Sequence, residues 1–595
     1  MKYVRKTSKD ITDNFLIELL NDRGIIPSKN IQENFSFFSP TYSNELDPYK
    51  LDHILEAATL LLSHIKNGSH IRIYIDPDVD GYTSAATLYN YLVDVIKNIY
   101  GFTDFTISYH VPEGKEHGLK TVMKELINER ICDLIVMPDS SSNDYEEHKT
   151  LKEMGYDIIV LDHHEAEKYS ENAIVVNNQL SSEYGNKSRS GVGVVYKFLG
   201  VVEQLIEKEK QTNETNSHYL NYIDLVALGQ ISDMMNMTTM ENRYICEYGL
   251  DHIKNKFFQE LVTKQSYSLG DPPLTQIGVA FYITPLINAL IRVGSDLEKE
   301  RLFLAFIEPD TLVDSTKRGE KGKKETIATQ SARNCTNAKS RQNREKDKAI
   351  ELLNIQIIEN CLDDNKILIL NADDLNVSNT LTGLCAMGVA AEHKKPVMLG
   401  RISPDGYLKG SIRGRGESEL KDFRAFLLES GLMDFVEGHG NAAGFSIKES
   451  NIDKLNDYAN EKLKDINFNE GYYEADFIVN GNCSYLGDMI TDLDKGKQLW
   501  GQNNDEPVII VENITISDTD IKIIGANKDT LRFTFNGITY VKFKAASLIS
   551  QIMDKFGKLN ITAAGRANIN RWNGSESPQI LLDEIEIKVL EKSDF

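Results

Sequence analysis

Three aspartates stand at alternate positions in the segment IRIYIDPDVDGYTSAATL, residues 71–88: Asp76, Asp78 and Asp80. Carboxylates held this close repel one another, so a cation that neutralises them is expected nearby. Mg²⁺ and Mn²⁺ are the usual occupants of sites built from oxygen ligands. A solvated acidic turn explains such a loop equally well when it stands alone. The choice between the two depends on what other segments bring to this loop.

The first part of the chain contains short apolar runs that end in polar residues. Four of these runs are predicted as buried strands: IRIYI (71–75), CDLIVM (132–137), YDIIVL (156–161) and AIVVN (173–177). Helix-like stretches lie between the first three, notably at 83–99 and 119–130. Buried strands that alternate with helices predict an α/β fold with a parallel sheet of βαβ units.

The residues that follow these strands are the candidates for chemistry. PDSSSND follows the second strand and contains Asp139, and DHHE follows the third and contains Asp162, His163 and His164. In an open parallel sheet, the loops after the carboxyl ends of the strands lie along one edge, where ligands bind. These side chains are therefore predicted to converge with the aspartates of the first loop on one crevice.

A further carboxylate is expected from residues 218–237, which look helical and contain Asp224 and Asp233. At about 100° per residue, their spacing puts them on opposite faces of a straight helix, so only one should reach the crevice. We favour Asp233, because the preceding LGQIS is able to loosen the helix. Asp224 is then expected to be a cap or a surface charge.

A long polar and basic stretch at about 310–350 predicts a connecting helix with a loop before it. Residues 317–348 contain eleven Lys or Arg against four Asp or Glu, a balance of +7 in a chain whose net charge is −23. The overall charge argues against a protein that coats nucleic acid by bulk electrostatics, but it leaves room for a local groove. Charge runs of this kind are more often solvated faces than binding sites.

A second α/β pattern follows the basic stretch. Its predicted elements are NKILIL (365–370), a helix near 380–393, KPVMLG (395–400) and GYLKGSIRG (406–414). It closes with EGHGNAAGFSI (437–447), where small residues and a histidine crowd a turn that allows close approach to a ligand. A tight turn packed by small residues explains this segment as well.

The last part of the chain is rich in β signals. LRFTFNGITYVKF (531–543) predicts a hairpin around Asn536-Gly537. Further strands are expected in PVIIVENI, DIKII, LNITAAGRANI and PQILLDEIEI, and together they predict a small β-barrel, for which the OB-fold is one candidate. The aromatic residues Phe533 and Tyr540 suit base stacking or a barrel core, and the core is the commoner role.

Composition limits the class of protein. A chain of 595 residues with 41% apolar and 26% charged residues should fold, with roughly three or four domains. The N-terminus lacks the apolar core of a signal peptide, and no run approaches the roughly 18 to 20 uncharged apolar residues of a membrane span. The six cysteines show no CxxC spacing and are read as reduced thiols. We expect a cytoplasmic protein with no membrane partner.

The motifs together resemble a known family. DPDVDG, Asp139, DHHE and DLVALGQISDMM occur in the order of the four motifs of DHH-family phosphoesterases, and EGHGNAAG with the upstream GSIRG resembles the signature of the DHH-associated domain. SGVGVVYKFL, ITPLINALIRVG, KQLWGQNNDEPVII and NRWNGSESPQILLDEI resemble segments of the RecJ exonucleases, so that the likeness covers about residues 45–595.

The sequence departs from the RecJ pattern at three places. PDSSS lacks the glycine that RecJ proteins usually have soon after the aspartate, and EGHG replaces a double glycine before the histidine. HVPEGKEHGL (110–119) matches the corresponding family loop only loosely.

The resemblance implies a hydrolase that degrades single-stranded DNA to mononucleotides from the 5′ end, in repair, recombination or replication. It implies two divalent ions, preferably Mn²⁺ with Mg²⁺ as the alternative, and a C-terminal OB-fold. The expected domains are an N-terminal extension (1–45), a DHH catalytic domain (46–250), a helical connector with the basic segment (251–360), a DHH-associated substrate-binding domain (361–470) and an OB-fold-like nucleic-acid-binding domain (471–595).

Site residues follow from matching these motifs to a two-metal mechanism, in which two ions activate water and neutralise the phosphate. The expected metal ligands are Asp76, Asp78, Asp139, His163 and Asp233, with Asp139 a plausible bridge. His164 is expected to point away from His163 and to orient the nucleophile or donate to the leaving group, whereas Asp80 and Asp162 orient ligands. The expected substrate-binding residues are Asn288, Arg292, Ser411, Arg413, Gly438 and His439.

Two other functions stay open at this point. Some DHH phosphoesterases cleave short oligonucleotides or cyclic dinucleotides, but these compact enzymes lack a third, barrel-like domain. A non-catalytic scaffold that binds single-stranded DNA is expected to lose metal ligands, whereas each metal motif here retains its carboxylate or histidine. The expected partner is single-stranded DNA, with a single-stranded-DNA-binding protein or a helicase as further candidates, and the chain is expected to be a monomer.

Overall fold

The computed structural model describes residues 1–595 except 115–116, 212–215, 271, 374, 376–377, 553–556, 573 and 592–595. The chain divides into two compact units. The first unit contains residues 30–339 and 498–505, and the second contains 1–29, 340–497 and 506–595.

The strands and helices carry the labels used below. The strands are β1 (Lys2–Arg5), β2 (His70–Tyr74), β3 (Thr106–His110), β4 (Leu134–Pro138), β5 (Asp157–Asp162), β6 (Ile174–Asn177), β7 (Leu312–Asp314), β8 (Lys324–Thr326), β9 (Leu368–Asn371), β10 (Val397–Ile402), β11 (Tyr407–Arg413), β12 (Met433–His439), β13 (Ala442–Lys448), β14 (Tyr472–Ala475), β15 (Phe477–Asn480), β16 (Ile509–Ser517), β17 (Lys522–Ile524), β18 (Thr530–Phe535), β19 (Ile538–Lys542), β20 (Lys558–Trp572) and β21 (Ser575–Glu591). The α-helices are α1 (Phe15–Asp22), α2 (Phe35–Phe38), α3 (Ile54–Lys66), α4 (Val79–Asn90), α5 (Met123–Asn128), α6 (Tyr145–Glu153), α7 (Gly191–Lys210), α8 (Ile223–Ser232), α9 (Met240–Asp251), α10 (Lys256–Lys264), α11 (Ser266–Leu269), α12 (Gln276–Gly278), α13 (Thr284–Val293), α14 (Asp296–Ile307), α15 (Ile327–Glu359), α16 (Thr382–His393), α17 (Phe423–Glu429), α18 (Ile452–Lys462), α19 (Leu486–Asp494) and α20 (Ala546–Ile552).

The first unit is built on a five-stranded sheet in the order β3-β2-β4-β5-β6, and every ladder in it is parallel. Strands β2, β4, β5 and β6 coincide with the four predicted apolar runs, which confirms the α/β prediction. The edge strand β3 was not predicted, because its residues are mostly half-buried and form no continuous apolar run.

Helices α4 and α7 pack against strands of this sheet, α8 packs against both of them, and the three helices carry or support the candidate site. The residues of α4 are almost all buried, and the helix continues as a π-helical turn over Tyr91–Lys97. Helix α4 packs extensively against both α7 and α8. A glycine makes one of these contacts possible, because a Cβ at Gly229 would overlap the side chains of Asp80 and Thr83.

The basic stretch contains more structure than the predicted loop and helix. Strands β7 and β8 form a short antiparallel ribbon before the long helix α15 begins. Arg333 of α15 pairs with Glu325 of β8, with 2.6 Å between Nη2 and Oε1. The predicted loop is therefore an ordered two-stranded ribbon.

Within the described residues, one helical segment, Gln276–Val293, is long and apolar enough to cross a membrane by length and composition. From the sequence, no run of this kind is predicted. More than half of the segment is buried inside the protein, and Val279, Ile283 and Leu290 belong to the hydrophobic core of the first unit. A helix that packs into a protein core meets the same criterion.

The second unit contains a five-stranded mixed sheet in the order β12-β13-β11-β10-β9. Only β9 and β10 are parallel, and the remaining ladders are antiparallel. The segment 437–447, predicted as a turn, is largely the β12–β13 hairpin. The N-terminal strand β1 pairs in parallel with β14, a contact that the sequence did not indicate.

The C-terminal part of the second unit is a seven-stranded sheet in the order β15-β16-β20-β21-β19-β18-β17. The predicted hairpin is confirmed, because β18 and β19 pair directly around Asn536 and Gly537, with φ angles of 48° and 80°. Phe533 and Tyr540 are buried and stack with ring centroids 4.9 Å apart. Their position is that of core residues.

Candidate metal centre

The first acidic loop connects β2 to α4 by a tight turn. Asp78 is the N-cap of α4, and its Oδ1 accepts a hydrogen bond of 2.9 Å from the Gly81 amide. A Cβ at Gly81 would lie 2.5 Å from the Asp76 backbone oxygen, so this turn requires glycine. Asp76 is 2% exposed, and its Oδ1 has no hydrogen-bond partner among the described residues. Burial raises the pKa of Asp76, and the Asp78 charge adds to this effect.

Asp80 lies in the first turn of α4 and binds the start of α7. Its Oδ2 accepts from the Gly191 amide at 2.7 Å and its Oδ1 from the Val192 amide at 3.2 Å. Burial, followed by the charge of Asp78, raises the pKa of Asp80 to about 7. Asp80 therefore joins two of the helices that form the site.

The loop after β4 holds Asp139 in an uncommon backbone conformation. Asp139 has a φ of 69° and Ser141 a φ of 86°, both in the left-handed region that favours glycine. Ser141 lies in PDSSS, where the family pattern has a nearby glycine. Asp139 is 1% exposed, and burial together with the neighbouring aspartates raises its pKa well above the usual range.

Asp162 organises the two histidines after β5. Its Oδ1 accepts from the His163 amide and from His164 Nδ1, each at 2.8 Å, and its Oδ2 accepts from the Ser142 amide at 3.0 Å. Burial works against the Asp162 charge, but His164, His163 and Ser142 outweigh it and hold the pKa of Asp162 below its usual range. Asp162 thus positions the two histidines by accepting hydrogen bonds from the His163 amide and from the His164 ring.

His163 lies between two carboxylates. Its Nε2 is 3.3 Å from Asp139 Oδ1, 3.3 Å from Asp233 Oδ2 and 4.0 Å from Asp80 Oδ2. Burial and the neighbouring His164 lower the pKa of His163 to about 4, which favours the neutral imidazole that binds metals.

His164 does not point away from His163 as predicted. The ring centroids are 4.5 Å apart, because strand alternation ends with β5. Burial alone would lower the pKa of His164, but the hydrogen bond and charge of Asp162 raise it to about 10.

Asp233 follows the last residue of α8, and burial with the charges of Asp80 and Asp78 raises its pKa to about 8. Asp224 is directed elsewhere, since its Oδ2 accepts from the amides of Lys254 and Asn255 at 2.8 and 2.7 Å. The structure therefore brings Asp233, and not Asp224, to His163.

The arrangement fits divalent ions. Three sets of side chains have ligand atoms within 4.8 Å of one another: Asp76, Asp78 and Asp139; Asp80, His163 and Asp233; and Asp139, His163 and His164. Buried carboxylates are costly unless a cation or a hydrogen bond compensates them, and the Asp76 Oδ1 atom has neither among the described residues. Asp139 belongs to two of the sets, as a carboxylate shared by two ions would.

One histidine at this site was missed in the sequence. His117 Nδ1 lies 2.5 Å from Asp76 Oδ2. Its hydrogen bond to Asp76 raises the pKa of His117 above the usual value, although burial opposes the rise. The sequence offered one signal, the loose match of residues 110–119 to the family loop, which marks the loop as unusual but does not single out His117.

Two predicted substrate-binding residues lie in the same unit. Asn288 and Arg292 are four positions apart on α13, which places them on one face of the helix. Burial lowers the pKa of Arg292, and the charge of Asp78 partly offsets this effect. Arg292 is thus within electrostatic reach of the first acidic loop.

The other four predicted substrate-binding residues lie in the second unit. Ser411 and Arg413 are on β11, while Gly438 and His439 end β12. A Cβ at Gly383, near the start of α16, would lie 2.5 Å from Arg413 Nη2, so the guanidinium lies against the beginning of that helix. Gly438 has a φ of 130°, which favours glycine.

Comparisons with known proteins identify the relatives of this chain. The model of the DHH family, N-terminal domain, matches residues 70–230, and that of the RecJ OB domain matches residues 486–584. The putative SPbeta prophage-derived single-strand DNA-specific exonuclease YorK of Bacillus subtilis strain 168 is 37% identical over 571 residues, which cover 95% of each chain. The single-stranded-DNA-specific exonuclease RecJ of the same strain is 25% identical over 559 residues, 90% of this chain and 64% of that one.

Solved structures share the fold. RecJ from Thermus thermophilus in complex with Mn²⁺ matches with a TM-score of 0.67 at 19% identity, covering 98% of this chain and 79% of that chain. The Mg²⁺ complex of RecJ from the same organism matches with a TM-score of 0.62 at 17% identity, covering 98% and 78%.

Proposed function

This chain belongs to the RecJ-like single-strand-DNA-specific exonucleases of the DHH family, and we propose that it releases mononucleotides from the 5′ end of single-stranded DNA. The observation that carries the proposal is the convergence of carboxylates and an imidazole from four loops on one edge of the parallel sheet. It is the kind of centre that phosphodiester hydrolysis by two metal ions requires.

The proposed metal ligands are Asp76, Asp78, Asp139, His163 and Asp233. Divalent ions held there would supply Lewis acids that lower the pKa of water and neutralise charge on the phosphate. His163 is the nitrogen donor, and imidazole shifts the preference of an oxygen-rich site from Mg²⁺ towards Mn²⁺. We therefore propose Mn²⁺ as the preferred ion.

The remaining polar residues have positioning roles. Asp162 accepts from His164 Nδ1, which directs His164 Nε2 outward to donate a proton to the leaving oxygen. Asp80 fixes the start of α7 through two amides. Its replacement by Asn would loosen α7 without removing a proposed ligand.

We propose that residues of each unit bind phosphates of the strand: Asn288 and Arg292 on α13 in the first unit, and Ser411, Arg413, Gly438 and His439 on β11 and β12 in the second. Arginine suits this role because its planar guanidinium binds phosphate oxygens in pairs. In the second unit, Arg413 lies at the start of α16, where backbone amides favour anions. Ser411, Gly438 and His439 lie on the same sheet as Arg413.

We place this activity in the cytoplasm, in DNA repair, recombination or replication, with a helicase or a single-stranded-DNA-binding protein supplying the strand. The chain is proposed to act as a monomer.

The test is digestion of a long single strand labelled at either end, in Mn²⁺, beside its duplex, the matched RNA and a dinucleotide. Asp78→Ala and His163→Ala proteins exclude a contaminating nuclease. Mononucleotides released first from the 5′ end of single-stranded DNA, and lost in both variants, are expected. Cleavage of the dinucleotide alone, or binding of the strand without cleavage, would overturn the proposal.

A further inference from the structure

The loop that carries His117 brings an imidazole to the first acidic loop. His117 Nδ1 is 2.5 Å from Asp76 Oδ2, while the other oxygen of Asp76 is buried without a hydrogen-bond partner among the described residues. The His117 side chain is 58% exposed and the Asp76 side chain 1% exposed. The histidine therefore reaches the buried carboxylate from the solvent side.

This position of His117 is fixed by its neighbours. The Leu119 amide donates to Asp144 Oδ2 at 2.8 Å, and Ser141 Oγ donates to the same oxygen at 2.5 Å. Gly118 has a φ of 76°, and a Cβ there would overlap Asp144. Asp144 thus ties the His117 loop to the loop that carries Asp139.

A second anchor lies on the other side of the loop. The buried Lys299 donates from Nζ to the Glu113 carbonyl at 2.6 Å. The described residues Glu113 and Leu119, which precede and follow His117 in the sequence, are therefore each bound by a residue outside the loop.

We propose that His117 Nδ1 is a further ligand, beside Asp76, of one of the two divalent ions. The inference rests on the proposed metal-dependent function and adds a nitrogen donor to it. Two ligands of one six-coordinate ion lie roughly 3 Å apart, so His117 and Asp76 are already close to the separation that a shared ion needs.

A second imidazole has a chemical consequence. His163 supplies one nitrogen on the side of Asp139 and Asp233. His117 would supply another beside Asp76, so that the ion held by Asp76 would also have a nitrogen donor. Imidazole favours Mn²⁺ over Mg²⁺, and the two histidines together strengthen that preference.

The experiment measures metal binding directly, on the full chain without DNA. Mn²⁺ affinity is determined by electron paramagnetic resonance of the free ion, and Mg²⁺ affinity by calorimetry. The proteins are wild type, His117→Gln and His117→Ala, with His252→Gln as the matched control because His252 is exposed and stacks on Tyr248. Pulsed resonance reports ¹⁴N coupling to bound Mn²⁺, which a merely structural role of His117 would not change.

We expect both His117 variants to weaken one Mn²⁺ site by roughly tenfold or more, with a much smaller loss of Mg²⁺ affinity. One class of ¹⁴N coupling should disappear, and the His252→Gln protein should match wild type. Circular dichroism confirms that each variant is folded. Unchanged Mn²⁺ affinity and ¹⁴N couplings in the folded variants would overturn the inference and leave His117 as a counter-charge to Asp76.

A reference variant separates this failure from failure of the proposed function. His163→Ala should lose Mn²⁺ affinity and nuclease activity whatever the role of His117. If His163→Ala keeps both, the proposed metal centre is wrong. If His163→Ala loses both properties but the His117 variants behave as wild type, the proposed metal centre is supported and His117 is not one of its ligands.

Discussion

Replacement of Asp162 by Asn tests whether this carboxylate holds His164 in its charged form. The variant keeps the size of the side chain but removes the negative charge beside His164 Nδ1. We expect the pKa of His164, about 10 in the wild type, to fall towards the ordinary value of 6.5. The Asn side chain would also turn an NH₂ group towards one of the N–H groups whose hydrogen bonds Asp162 now accepts. The His163–His164 turn should therefore loosen.

The size of the effect follows from the pKa of His164. A rise in the pKa of His164 from 6.5 to about 10 corresponds to a stabilisation of the protonated form over the neutral form by at most about 5 kcal/mol. The His164 side chain is 51% exposed, so water screens the pair. We therefore expect the His164–Asp162 interaction to contribute about 2 kcal/mol, which lies between that limit and the value near 1 kcal/mol of exposed ion pairs. Its loss in Asp162→Asn should lower the pKa of His164 by roughly 1.5 units.

The same pair makes stability depend on pH with a definite sign. Because the folded pKa of His164 lies above the unfolded value, its contribution is complete below pH 6.5 and is lost as the pH rises through about 10. The difference in free energy of unfolding between wild type and Asp162→Asn should therefore be largest near pH 6.5 and shrink towards pH 10. The difference that remains at high pH reports the lost hydrogen bonds to the amides.

The assay combines two measurements on metal-free protein. Urea denaturation at both ends of this pH range gives the difference in stability, and NMR of ¹³C-labelled histidine rings gives the pKa of His164, assigned with a His164→Gln protein. An unchanged His164 pKa in Asp162→Asn, or a stability difference that does not vary with pH, would refute the reasoning.

Three further outcomes are expected. Ser141→Gly should be more stable to urea than Ser141→Ala by about 1 kcal/mol, because both lose the hydroxyl but only glycine relieves the φ of 86°; equal stabilities would contradict a strained backbone there. Lys197→Met should cost about 3 to 5 kcal/mol in denaturation, because it removes one of the two cations, Lys197 and Arg189, that compensate the buried Glu45 and Glu241. The exposed pair lost in Lys66→Met should cost less than about 1 kcal/mol; similar costs would remove the buried ion network as a source of stability. Arg413→Ala should raise KM in steady-state digestion by roughly tenfold or more while metal affinity stays constant; unchanged kinetics would remove Arg413 from the substrate site.

The parallel sheet was predictable from the sequence because its central strands are buried on both faces. Such strands read as continuous apolar runs, as YDIIVL does at β5. The strand β3 lies at the edge, where partial exposure replaces that run with the mixed FTISYH. The β18–β19 hairpin was predictable for another reason, since Asn536-Gly537 suits the positive φ angles that a two-residue turn requires.

The candidate site was only partly predictable. Strand ends direct loops to one edge of a parallel sheet, so the convergence of Asp76, Asp139 and His163 follows from their positions in the sequence. The contact of His117 with Asp76 does not, because it depends on the path of a loop that Asp144 anchors from another segment. Spacing along the chain contains no information about such an anchor.

Several features that oppose folding meet at this site. Asp139 and Ser141 have left-handed backbones, several buried aspartates have raised pKa values, and one oxygen of Asp76 lacks a hydrogen-bond partner among the described residues. Each feature destabilises the folded chain when it is considered alone. A bound divalent cation would reverse the electrostatic part of this destabilisation, because the carboxylates that repel one another would become its ligands. The alternating aspartates of the first loop and the strained backbone of the second then have one explanation, which is that this sheet edge is folded around a binding site for cations.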